Sequence, residues 1–110
     1  MAHRYCLTLD LVDDQDLIAG YEEYHKAVWP EILKSITDSG ITHMQIYRFD
    51  VRLFMIMDTD DSFSFERKAA MDATNAKVQE WETLMWKYQQ PVKNALKGEK
   101  WVLMNKIFTL

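Results

Sequence analysis

Apolar and polar positions alternate from Arg4 to Leu11, with Tyr5, Leu7, Leu9 and Leu11 set against Cys6, Thr8 and Asp10, which is the two-residue period of a strand. Asp13, Asp14 and Asp16 then supply cap and first-turn carboxylates, and the pattern changes to that of a helix carrying Leu17, Ile18, Tyr21, Tyr24, His25 and Val28 on neighbouring faces. The residue before a proline is driven out of the α region, whereas proline itself suits a first helical turn. The first helix should therefore stop at Trp29, and a second should run from Pro30 to Asp38, closed by Gly40. Ile41 to Phe49 and Arg52 to Asp58 are rich in β-branched, aromatic and methionine residues, and the short break at Asp50 suits a hairpin. "TDDSFSFERKAAM" offers Ser62 as a cap with Glu66 nearby and opens helical spacing through Val78, Trp81, Leu84, Met85 and Tyr88 up to Pro91, with a weak point near Asp72. Lys100 to Phe108, after Gly98, reads as a last strand.

The resulting order, β-α-β-β-α-β, predicts an α+β fold with an antiparallel sheet and its helices on one face. Both faces of that sheet are apolar. The second strand offers Met44 and Ile46 to one side and Ile41 and Tyr47 to the other, the third sets Leu53, Met55 and Met57 against Phe54 and Ile56, and the fourth sets Trp101, Leu103 and Ile107 against Val102, Met104 and Phe108. Two helices cover one face, so the other calls for a second copy of the chain, a homodimer, or for a ligand cavity closed within one subunit.

Composition narrows the function. A chain of 110 residues is one domain, 1–110, and its 48% apolar and 27% charged residues are those of a globular protein. No uncharged stretch is long enough to span a bilayer, and "MAHRYCLTLDL" meets charge and alternation at once, which predicts neither a membrane segment nor a secretory leader and places the protein in the cytoplasm. The net charge of −4, with Lys93, Lys97 and Lys100 dispersed, argues against nucleic acid as a partner. Cys6 stands alone, which precludes an intrachain disulfide and a cysteine-built zinc site. His3 and His43 have no metal-ligand spacing to His25, and Asp58, Asp60 and Asp61 read as a turn and cap, so no metal is expected. There is no glycine-rich phosphate loop, Gly-x-Ser-x-Gly elbow or redox cysteine pair, so neither a nucleotide cofactor nor a covalent serine or cysteine mechanism is expected.

What remains is "YEEYHKAVWPE". Residues four apart share a helical face, so Tyr21, His25 and Trp29 can line one wall: a proton-transferring imidazole, a hydroxyl and a ring face suited to a sugar. The same spacing more often makes the seam of a packed helix. Trp81 and Met85 share a face of the later helix, and Glu82 beside them is a second proton-handling group if its surroundings are dry, or otherwise part of a solvated face.

"YEEYHKAVWPEI" resembles the L-rhamnose mutarotase family in its Tyr-x3-His-x3-Trp-Pro-Glu pattern, and the likeness continues through "SGITHMQIYR", the apolar third strand, "VQEWETLM" and the final strand. The resemblance implies a dimeric α/β barrel of ferredoxin-like subunits that interconverts the α and β anomers of a 6-deoxy-L-sugar without a cofactor. It makes His25 the proton donor and Tyr21 a substrate-contacting hydroxyl, with Trp29 and Trp81 among the aromatic residues of a site for a small neutral monosaccharide. Two positions depart from the family pattern: Met44 stands where the rhamnose enzymes carry a tyrosine and Glu82 where they carry a second tryptophan. Both bear on the choice between L-rhamnose and L-fucose, since buried polar groups left unpaired discriminate strongly. On this reading His25 protonates the ring oxygen and Glu82 or a water accepts the anomeric proton. The same architecture also serves small cofactor-free or haem-degrading monooxygenases and non-catalytic binding dimers.

Overall fold

A computed structural model describes residues 3–110. Strands β1 (His3–Leu11), β2 (Ile41–Phe49) and β3 (Arg52–Thr59) form the body of the sheet, and four helices, α1 (Gln15–Lys26), α2 (Pro30–Asp38), α3 (Phe65–Ala73) and α4 (Ala76–Met85), lie between and after them. Two short strands, β4 (Gln89–Gln90) and β5 (Val102–Leu103), both pair with β1. The sheet order is β2-β3-β1-β4 with β5 also on β1, antiparallel throughout, which is the expected α+β arrangement with one unforeseen short strand, β4, added beside β1. None of the helices is long and apolar enough to cross a membrane.

The caps explain where the helices begin. Asp14 accepts from the Asp16 and Leu17 N–H groups and starts α1, while Pro30 sits in the first turn of α2, where its missing N–H costs nothing. The α1 helix ends at Lys26, short of the expected Trp29. The reason is that the Trp29 carbonyl already accepts from the Ile32 and Leu33 N–H groups, so Trp29 belongs to the next helix as its cap, with the extended ψ of 137° that a pre-proline residue favours. Ser64, and not Ser62, caps α3 by accepting from the Arg67 N–H; Ser62 is drawn instead into a turn with Asp60. The helical region breaks at Thr74 and Asn75, close to the weak point at Asp72, and Asn75 caps α4.

Two further expectations change. The helix foreseen up to Pro91 stops at Met85, because the chain turns at Tyr88 to pair Gln89 and Gln90 with Leu11 and Asp10. The strand foreseen from Lys100 to Phe108 shrinks to Val102–Leu103, followed by a single bond from the Met104 N–H to the Cys6 carbonyl. Beyond it the tail leaves the sheet with Ile107, Phe108 and Leu110 exposed, since a β-prone sequence forms a strand only where a neighbour is present to pair with it.

The helix-facing side of the sheet carries Leu7, Leu9, Leu11, Leu53, Met55 and Met57, all buried. A register shift between Ile41 and His43 turns Ile41 to this side as well, contrary to the alternation, where it joins Leu7, Met55 and Met57. Complete burial of a leucine such as Leu9 is worth about 1.5–3 kcal/mol, so this row alone outweighs any of the surface ion pairs. On the opposite side Tyr47 is exposed and Phe54 and Ile56 are half-buried.

Gly40 joins α2 to β2 at φ +100°, and a Cβ there would come within 2.6 Å of the Asp60 and Ser62 side-chain oxygens and 3.0 Å of the Phe63 nitrogen. Gly40→Ala should lower stability by about 2–3 kcal/mol, read as a drop in the urea midpoint at unchanged slope.

Candidate functional site

Between the helices and the sheet lies an open cleft of about 950 Å³. Its floor is Met44, Ile46, Met55 and Met57, its walls come from α1, α2, α3 and α4, and residues 98–103 close one side. Tyr21, His25, Met44, Trp81 and Glu82 all line it, so five of the six residues singled out in the sequence meet in one place.

The sixth, Trp29, does not. With α1 ending at Lys26, it no longer continues the face of Tyr21 and His25, and it packs edge-on against Trp81 at 5.0 Å, behind the wall. Trp81 is 8% exposed and is gripped by Trp29, by Tyr24 at 6.1 Å and by His25 at 5.7 Å, so one face of the cleft is an indole with little freedom to move.

His25 is set by one bond. Its Nδ1 lies 2.8 Å from the Tyr21 carbonyl, and a carbonyl can only accept, so Nδ1 carries the hydrogen and Nε2 is the nitrogen left for a ligand. Burial lowers the His25 pKa from its ordinary value, opposed by the bond to the carbonyl of Tyr21, which favours the charged ring. At neutral pH the imidazole is therefore uncharged with a basic Nε2. The Tyr21 ring lies tilted against it, centroids 4.3 Å apart, and is 3% exposed. Burial pushes the Tyr21 phenol up to about 12; the Gln89 amide acts in the opposite sense and the nearby Glu82 carboxylate adds a smaller upward push, so the hydroxyl keeps its proton at any physiological pH.

Glu82 is not alone. The Lys100 ammonium donates to its carboxylate at 2.7 Å and to its backbone carbonyl at 3.1 Å, and lies 4.7 Å from the centre of the Trp86 ring. The Lys100 side chain is only 13% exposed. Sequence reasoning passed over this lysine because its partner is far away in the chain. Gln89 was missed too: it is buried, it lines the cleft, and its pairing with Leu11 turns its side chain to the helix-facing side. A second ion pair, Lys68 to Asp72 at 2.6 Å on α3, also borders the cleft. Among the described residues, no three of His, Cys, Asp or Glu come together as metal ligands.

The arrangement offers a proton-transferring nitrogen, a permanently protonated hydroxyl, a fixed indole face, an apolar floor and one charged edge. It suits a small ligand with both an apolar surface and hydroxyls.

Comparison with known proteins agrees with this. The family model for L-rhamnose mutarotase matches residues 4–110. An L-fucose mutarotase of Xanthomonas campestris is 41% identical over 109 residues, covering 97% of this chain and 87% of that protein. A UPF0734 protein of Dictyostelium discoideum is 35% identical over 114 residues, covering 96% of this chain and 88% of that one. Among solved structures, L-rhamnose mutarotase FA22100 from Formosa agariphila superimposes with a TM-score of 0.69 at 20% identity over 98% of each chain. Tetracenomycin F2 cyclase from Streptomyces glaucescens, a type-II polyketide cyclase, does so with a TM-score of 0.59 at 15% identity over 98% of this chain and 96% of that one. At these identities the two structures speak for the fold alone.

The lowered pKa of His25 has a consequence for stability. A base that is harder to protonate when folded contributes fully above its unfolded value of about 6.5, and stability falls as the pH drops through that value towards the folded one. The urea midpoint should decline between pH 7.5 and 5.5 by more in the wild type than in His25→Gln; equal declines would assign the acid sensitivity to other groups.

Proposed function

The chain belongs to the L-rhamnose mutarotase family, and on that premise we propose that it interconverts the α and β anomers of a 6-deoxy-L-hexose, with L-fucose preferred to L-rhamnose. The observation that carries this reading is the free Nε2 of His25 at an indole-walled cleft. The preference for L-fucose rests on the Xanthomonas relative and on the departures at Met44 and Glu82 from the rhamnose pattern.

Mutarotation moves one proton from the anomeric hydroxyl to the ring oxygen while the C1–O5 bond breaks, leaving an open-chain aldehyde; rotation about C1–C2 and closure in the reverse sense give the other anomer. Both oxygens sit on C1, within reach of one imidazole. The neutral ring of His25 takes the anomeric proton at Nε2 and, as imidazolium, delivers it to the ring oxygen. The charged intermediate is stabilised by the Tyr21 carbonyl on Nδ1–H. His25 is thus a donor, as the family resemblance implies, but only after acting as the base. Tyr21, which stays protonated, donates a hydrogen bond to the oxygen on which negative charge develops.

Glu82, foreseen as a base, is engaged by Lys100, and the pair serves to hold sugar hydroxyls. Trp81 takes the apolar face of the ring, and Met44, Met55 and Met57 receive the methyl group. Trp29 contributes by keeping Trp81 in place. The working unit is a homodimer forming an α/β barrel, in which the uncovered sheet face and the apolar tail around Ile107 and Phe108 lie against the partner.

Saturation-exchange NMR between anomers should show acceleration with L-fucose and L-rhamnose, reduced about 10²–10⁴-fold by His25→Ala; an unchanged rate in that variant would remove His25 from the mechanism. The kcat/KM should be flat above the His25 pKa, which lies below its ordinary 6.5, and should fall at lower pH. An enzyme needing imidazolium at the outset would show the opposite limb. Light scattering should give twice the 13.1 kDa mass of the chain, and a mass of one chain would refute the dimer.

A further inference from the structure

Two buried side-chain oxygens lack a hydrogen-bond partner among the described residues, Thr59 Oγ1 and Gln89 Oε1. Thr59 ends β3 opposite Ile41 and is not part of the cleft wall. Gln89 is part of it, at 6% exposure. A buried acceptor with no donor is costly unless something supplies one.

The backbone leaves Gln89 little choice of position. It pairs with Leu11, and the preceding residue is fastened on both sides, by the Tyr88 N–H to the Met85 carbonyl at 2.9 Å and the Val12 N–H to the Tyr88 carbonyl at 2.9 Å. Gly20 makes this close approach possible, since a Cβ there would already be 3.1 Å from the Tyr88 ring. Glu82 and Lys100 satisfy each other, whereas Gln89, whose side chain hydrogen-bonds the Tyr21 phenol, keeps its Oε1 buried and without a donor at the back of the cleft.

L-Fucose and L-rhamnose have the same ring and the same methyl group and differ in the orientation of the hydroxyls at C2 and C4. A methionine floor that meets the shared methyl group cannot tell these two diastereomers apart. A fixed acceptor can. Resting on the reading of the chain as a 6-deoxy-L-hexose mutarotase, we propose that Gln89 is a specificity-determining residue whose Oε1 accepts a hydrogen bond from one of these two epimeric hydroxyls of the bound sugar.

The test pairs Gln89→Met, close in shape but without the amide, with L-fucose, 2-deoxy-L-fucose and 4-deoxy-L-fucose. Dissociation constants come from NMR titration and anomer exchange is measured alongside. In the wild type, one deletion should weaken binding by roughly ten- to a hundredfold, and Gln89→Met should weaken L-fucose by a similar factor while becoming indifferent to that deletion. The unliganded variant should be at least as stable as the wild type, because it loses an unpartnered acceptor. Gln89→Asn, which keeps the amide but withdraws it by one methylene, should repeat the binding pattern.

Equal weakening of all three sugars would assign Gln89 to packing or to positioning Tyr21 and overturn the proposal, as would no weakening at all. Wild-type exchange keeps the two claims apart. Binding without exchange refutes the mutarotase reading while the binding cycle still decides on Gln89, and no binding of any of these sugars refutes both.

Discussion

The bond from His25 Nδ1 to the Tyr21 carbonyl governs what the rest of the site can do. It selects one tautomer, fixes the ring and leaves Nε2 as the free nitrogen, and it does so inside one helix, with no partner from elsewhere in the fold. That helix is held at its start by Asp14 and ends one residue after His25, before Pro30 and Trp29 open the next. Because the donor is the ring itself and the acceptor a helical carbonyl, the orientation survives changes in the surrounding side chains so long as α1 keeps its course. The Arg48 to Glu22 ion pair, which links β2 to the middle of α1, helps to hold that course.

The cleft is a consequence of incomplete coverage. The helix-facing side of the sheet is mostly apolar, yet α3 contributes no fully buried residue, so the helical layer closes at α1 and α4 and stands open towards the methionines. Methionine suits such a floor, because a flexible thioether can settle against ligands of different outline without leaving a void. The rigid parts of the cleft are Trp81 and the polar edge formed by Glu82, Lys100 and Gln89.

Local chemistry was legible in the sequence, and contacts across long separations were not. Alternation gave the three long strands and the helices between and after them, and the helical period brought Tyr21 to His25 and Trp81 to Met85, which the fold preserves. Trp29 was misplaced because a period of 3.6 was carried up to a proline whose preceding residue had already joined the next helix. Lys100 gave one faint signal, a lysine beside Trp101 after a glycine, but nothing in the chain points from it to Glu82. Gln89 gave none, since its burial depends on a two-residue strand too short to leave a pattern. The shortened last strand is the same lesson in reverse: Ile107 and Phe108 have the residue types of a strand and no neighbour in this chain to pair with.

The fold does not decide the chemistry, since a polyketide cyclase shares it at a TM-score of 0.59. The demand made on the site does more to decide it. Anomer exchange already proceeds in water, so a catalyst need supply only a positioned proton acceptor, a donor for the developing charge and a grip on the sugar. In the proposed mechanism a phenol pushed to about 12 and an imidazole kept neutral by burial would meet that demand without either group being charged at rest. A neutral sugar would gain little from a strong charge at C1, whereas charge at the hydroxyl edge can orient it. On the proposed reading the Lys100–Glu82 pair belongs to that edge, and because its two ends neutralise each other it can orient hydroxyls without adding net charge to the cleft.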